Sequence, residues 1–186
     1  MHDHIAQKLI QMAAHDLQVR ERLAKANKLE GGYAPEMEQV HRKNAMQLHE
    51  IIAKIGFPTI SKVGIDAYTA AWLIVQHAIA EPDFMVRSYA LMRRHIQDVS
   101  PAHLAYLYDR IQFFRGKPQR FGTQRNSDGT VYPVRNKRQL NAWRRKSLLP
   151  ELSTAEINAI LPVSELVRIH DQDSTYVKWR KDVGWS

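Results

Sequence analysis

Ala67-Tyr68-Thr69-Ala70-Ala71-Trp72-Leu73-Ile74-Val75-Gln76-His77-Ala78-Ile79-Ala80 is the segment on which the fold turns. Only Tyr68, Thr69, Gln76 and His77 interrupt an apolar run. A helix that is apolar on nearly every side must be surrounded by other elements. The run therefore predicts a central helix over about 67–80, with Asp66 as its N-cap. It falls short of the roughly 20 apolar residues that a membrane span needs.

The flanking segments supply helices to surround it. Ile5, Leu9, Met12, Ala13, Leu17 and Leu23 mark an amphipathic helix within 3–29, ended by Gly31-Gly32. Pro35 opens a second helix, whose inner face carries Met37, Val40, Leu48, Ile51, Ile52 and Ile55. Gly56 and Pro58 stop it. Glu81-Pro82-Asp83 starts another, and Ser100-Pro101 reads as an N-cap followed by proline at the first helical position.

Helical periodicity lapses between 117 and 135, where Asp128-Gly129 predicts a hairpin turn between short strands near 120–125 and 130–134. Helices resume at 136–147, after the capping pattern Ser153-Thr154-Ala155-Glu156, and over about 164–181. The expected fold is all-α, a compact helical bundle with a small β-hairpin insertion near 119–135.

The chain has 186 residues and no cysteine, which excludes disulfides, a thiol nucleophile and cysteine-ligated zinc. The N-terminus lacks the basic and apolar regions of a signal peptide, so a cytoplasmic protein without a membrane role is expected. The net charge of +8 is local. Between Arg110 and Lys146 stand eleven Lys and Arg against one acid, Asp128, while the remaining residues are close to balanced. Such a segment attracts anions within about a Debye length, ~8 Å.

Three stretches set polar groups among apolar neighbours, and a buried polar group needs a partner. The first ends in Gln76-His77. His77 reads either as a general acid/base or as a core histidine satisfied by a carbonyl. The second is Tyr106-Leu107-Tyr108-Asp109-Arg110, in which Asp109 is a candidate orienter of His77 and Arg110 a candidate anion holder. The alternative there is an interhelical salt bridge. The third, Gln119-Arg120-Phe121-Gly122-Thr123-Gln124, is a glycine-containing turn that offers Gln119, Arg120, Thr123 and Gln124 to a ligand, or merely to itself. No spaced metal-ligand pair occurs on a helix, so no metal and no cofactor are expected, and His41 and His49 read as solvated. A serine nucleophile elbow is also missing. Arg138, Trp143, Arg144, Arg145 and Lys146 form the strongest piece of an alternative nucleic-acid surface.

Taken together, several segments resemble a bacterial domain family of unknown function. They are Gly56-Phe57-Pro58, Val63-Gly64, Ala70-Ala71-Trp72-Leu73-Ile74-Val75-Gln76-His77-Ala78, His103-Leu104-Ala105-Tyr106-Leu107-Tyr108-Asp109-Arg110 and Gly116-Lys117-Pro118-Gln119-Arg120-Phe121-Gly122-Thr123-Gln124. The resemblance covers about 10–148. Phe57 stands where the family pattern favours Trp. Phe121 stands where it favours Tyr, which removes a phenolic hydroxyl there. The resemblance implies a compact helical domain and brings no activity, substrate or cofactor. It suggests a helical domain over 1–148 and a C-terminal helical extension over 149–186 packed on it.

Three functions remain open at this level. One is an enzyme or a binding domain for a small anionic or peptidic ligand. Its polar pocket would be built from His77, Asp109, Arg110, Gln76, Gln119, Arg120, Thr123 and Gln124. The second is binding of nucleic acid or an acidic partner through the 110–146 surface. The third is a structural interaction module in which the buried polar residues only hold the fold.

Overall fold

The apolar run becomes a helix, Ile65–His77, in a computed structural model that describes residues 2–29 and 33–185. The chain divides between Val99 and Ser100 into two compact units. The first holds α1 (Asp3–Lys25), α2 (Pro35–Ile55), α3 (Ile60–Val63), α4 (Ile65–His77) and α5 (Pro82–Arg94). Helices α1, α2 and α4 pack on one another, and α3 and α5 flank α4. Ala67, Tyr68, Ala70, Ala71, Ile74, Val75 and Gln76 of α4 are all buried, so the helix is central to its unit. None of the described helices is long and apolar enough to cross a membrane.

Three helix boundaries differ from the sequence reading. α1 stops at Lys25 because Asn27 turns into the left-handed region, at φ 52°. Gly31-Gly32, read as its terminator, lie outside the described residues. α4 starts directly after Gly64, so Asp66 sits in the first turn instead of capping it. It ends at His77, because Ile79 N–H closes a tight turn onto His77 O (2.7 Å) before Pro82 opens α5. A helix cannot run on into that proline.

The second unit holds α6 (Pro101–Phe114), α7 (Leu140–Lys146), α8 (Thr154–Ala159), α9 (Leu166–His170) and α10 (Ser174–Val183). Single 3-10 turns, Lys137–Gln139 and Val163–Glu165, lead into α7 and α9. Ser100 caps α6, and Ser153 with Glu156 forms a full capping box on α8. The segment expected as one helix over 164–181 is broken, and Asp173 caps its second half through Thr175 and Tyr176 N–H. Val131, Val134, Leu140, Leu152 and Ile160 form the core beside the long loop.

The expected β-hairpin is absent. The turn exists, with Gly129 N–H on Asn126 O (3.0 Å), but only two isolated bridges form, Gln119 with Val134 and Arg125 with Val131. A side chain displaces the ladder: the Gln119 amide donates to Gln124 O (2.9 Å) and Tyr132 O (2.7 Å) and accepts from Gln124 N–H (2.9 Å). The amide thus stands between Gln124 N–H and Tyr132 O, which lose each other as partners, while Tyr132 N–H still reaches Gln124 O (3.0 Å).

One buried pair in this unit sets a pH dependence. The Arg180 guanidinium bonds to His170 Nε2, to Phe114 O (3.3 Å) and to Asp171 (3.1 Å). Burial and the Arg180 charge push the His170 imidazole down to about 4. Unfolded histidine titrates near 6.5, so between those values the unfolded chain holds a proton that the folded one lacks. Stability therefore falls as pH drops through that window, by roughly 2 kcal/mol at pH 5. Urea unfolding at pH 7 and pH 5 should show a loss that is larger in the wild type than in His170→Gln by about 2 kcal/mol, the remainder coming from other groups such as the half-buried His103, which burial also pushes down to about 4. Equal losses in both proteins would refute the assignment.

Candidate functional site

Along α1 the buried positions run Leu9, Met12, Ala13, Asp16, Val19, Leu23, in steps of one, three and four. One face of a helix recurs at that spacing, and a carboxylate occupies it at Asp16. Leu17, read from sequence as part of the face, is 50% exposed instead. It lies about 100° round the helix from Asp16. α2 repeats the pattern: Met37, His41, Asn44, Ala45, Leu48 and Ile51 are buried, with an imidazole in the stripe. The expectation of a solvated His41 is thus overturned by its place on the inner face, whereas His49 is exposed. His77 closes α4.

The packing of these three helices brings the three side chains together. Asp16 is 1% exposed. Its carboxylate accepts from His77 Nδ1 at 3.0 and 3.1 Å. His41 Nε2 stands 3.3 Å from Asp16 Oδ2, close but without hydrogen-bond alignment. The two imidazole rings are 5.0 Å apart. Tyr33 stacks on His41 at 5.6 Å, and its hydroxyl lies 2.6 Å from His41 Nδ1. Burial alone would raise the Asp16 carboxyl; the two imidazoles outweigh it and hold the group well below the usual carboxylate range. The His77 side chain keeps 19% of its surface exposed. Asn44 Nδ2 reaches Met12 O (3.4 Å), tying α2 to α1 alongside. Gln76 is buried, and its Nε2 has no hydrogen-bond partner among the described residues.

In the second unit, Asp109, Arg110, Gln119, Thr123 and Gln124 form one network. Asp109 is fully buried. It accepts from Arg120 N–H (2.8 Å), Phe121 N–H (3.1 Å), Thr123 N–H (3.0 Å) and Thr123 Oγ1 (3.1 Å). Burial pushes its carboxyl up to about 6, against the pull of those donors. Arg110 Nη1 donates to Gln124 Oε1 (3.2 Å), and Gln124 Nε2 to Thr123 Oγ1 (3.1 Å). Gly122 takes φ 65°, and a side chain there would press on Val131, Leu140 and Leu152. The carboxylate against His77 Nδ1 is therefore Asp16, while the Asp109 oxygens carry their own loop.

The basic face is also partly consumed. Arg144 is buried, and donates to Pro150 O (2.6 Å), Phe121 O (2.7 Å) and Gly122 O (3.1 Å). Arg145 pairs with Glu151 (2.7 Å). Arg120 is exposed and lies over the rings of Trp143 (4.9 Å) and Phe121 (5.3 Å). Arg138 and Lys146 are exposed.

Asp16 and His41 were not among the sequence candidates. Their signal was there: each is a polar residue in the largely apolar stripe of a long helix.

A family model described as a family of unknown function matches residues 3–161. No curated protein and no solved structure matches the chain.

Proposed function

The chain belongs to that family, DUF6624, and we propose that its working centre is the Asp16–His41–His77 cluster of an enzyme or binding domain for a small ligand. His77 is the side chain that meets the ligand. Asp16 holds its Nδ1–H, leaving Nε2 to take and return a proton. The observation that carries this reading is a carboxylate buried to 1% exposure against two imidazoles, one of which stays partly open. A buried ionic group is weak support for stability, since apolar residues of similar volume pack as well or better. Such groups gather instead where chemistry needs a tuned proton carrier.

The test is chemical. In metal-free protein, diethyl pyrocarbonate should modify His77 several-fold faster than the exposed His49, as mapped by peptide mass. Asp16→Asn should remove the difference, because the oriented tautomer is lost. A His77 that reacts no faster than His49 would count against the reading.

A second reading keeps its own support. Arg120 over Trp143 and Phe121, and Arg135 over Tyr108 (5.9 Å), make a row of cations and rings suited to single-stranded nucleic acid.

A further inference from the structure

We propose that Asp16, His41 and His77 bind one divalent transition-metal ion through a carboxylate oxygen, Nε2 and Nδ1. The inference rests on the reading that this cluster is the working centre, and it names the centre's cofactor.

The geometry favours an ion. Each residue comes from a different helix, and the three donor atoms lie within 4.8 Å of one another. Measured to one oxygen, Asp16 Oδ2, His77 Nδ1 stands at 3.1 Å and His41 Nε2 at 3.3 Å. Ligands about 2.1 Å from a shared ion are about 3.0 Å apart at an octahedral edge and about 3.4 Å apart in a tetrahedron. The helices thus already hold each nitrogen at ligand spacing from the carboxylate, with all three donors within 4.8 Å of one another.

The second argument is what surrounds His41. Its Nε2 is buried, close to Asp16 and not aligned to bond it. Its Nδ1 faces the Tyr33 hydroxyl at 2.6 Å. With Nδ1–H donating to Tyr33, the Nε2 lone pair is turned to the cluster. That is the outer hydrogen bond which metal-bound imidazoles commonly make, and it makes Tyr33 a positioning residue.

Ligand chemistry narrows the ion. Two imidazoles and one carboxylate suit zinc, iron(II), cobalt(II) or manganese(II) over calcium or magnesium, which prefer all-oxygen sites. Three protein ligands leave positions for water or substrate, the pattern of a catalytic site. A metal on Nδ1 shifts the His77 proton to Nε2, so bound water takes over the role of base.

Sequence spacing pointed away from any metal because it compares neighbours on one helix. These ligands stand 25 and 36 residues apart along the chain.

The test uses the full chain, stripped with a chelator and titrated with zinc(II) and with cobalt(II). Calorimetry should give one ion per chain, and cobalt should show the visible spectrum of a nitrogen and oxygen site. His41→Gln and Asp16→Asn should abolish both. Tyr33→Phe should weaken binding by roughly 10- to 100-fold with the fold intact, which keeps the test valid if the ligand variants unfold. Zinc should also protect His77 from diethyl pyrocarbonate. No binding, or binding that survives in folded His41→Gln and disappears in a His2→Gln, His4→Gln double variant, overturns the proposal. A His77 that stays hyper-reactive without any metal affinity would sink the metal site alone and leave the acid–base reading standing.

Discussion

Replacing Asp109 by alanine is expected to destabilise the second unit by about 3–5 kcal/mol, the range for removing one partner of a buried charged network. The carboxylate is fully buried and takes three backbone N–H groups and one hydroxyl from residues 120–123. Alanine leaves all of them without an acceptor. Asparagine should do nearly as badly, because both carboxylate oxygens face only donors and an amide NH2 would meet them head on. Urea unfolding at pH 8, where the carboxyl is ionised, reads the loss. Hydrogen exchange should show the amides of Arg120, Phe121 and Thr123 losing protection ahead of α6. A loss below about 1 kcal/mol with those amides still protected would mean that the loop has another anchor.

The second large effect is expected at Arg144. Arg144→Ala should lower stability by about 2–4 kcal/mol, since three carbonyls lose a charged donor in a buried place. Arg144→Lys should not rescue it, because one ammonium cannot replace a planar fork that serves Phe121 and Gly122 on one side and Pro150 on the other. Arg120→Ala, at an exposed position, should change stability by no more than about 0.5 kcal/mol. The contrast also separates holding the loop from binding. If the basic face takes single-stranded nucleic acid, Arg120→Ala should weaken filter retention of an oligonucleotide at low salt while the fold is unchanged. A wild-type protein that retains none would eliminate that reading.

The helical architecture was legible because its causes are local. Pro35, Pro82 and Pro101 open helices, Ser100 and Ser153 cap them, and the apolar 67–80 run announces a central element. The false hairpin has a local cause too. Asp128-Gly129 does make a turn, but the ladder beside it is interrupted by Gln119, whose amide takes Tyr132 O and Gln124 N–H and leaves that pair only Tyr132 N–H on Gln124 O. His77 was visible as an interruption of an apolar run. Asp16 was hidden because Leu17, its neighbour, offered a plausible alternative face, and a one-residue shift rotates a helix by about 100°.

From the order of its residues alone, this chain is a set of amphipathic helices with one nearly all-apolar helix among them, and its positive charge is gathered between 110 and 146. Hydrogen bonds within one turn, proline geometry and side-chain periodicity act over about four residues, so they can be read in order along the chain. The partner of each buried polar group is another matter. Asp16 and His77 are 61 residues apart and meet only because α1 crosses α4. Tertiary packing alone decided that the imidazole would face Asp16, that Asp109 would hold a loop, and that Arg144 would turn inward, because a buried charge is tolerated only where the crossing of elements brings its counterpart within hydrogen-bond reach.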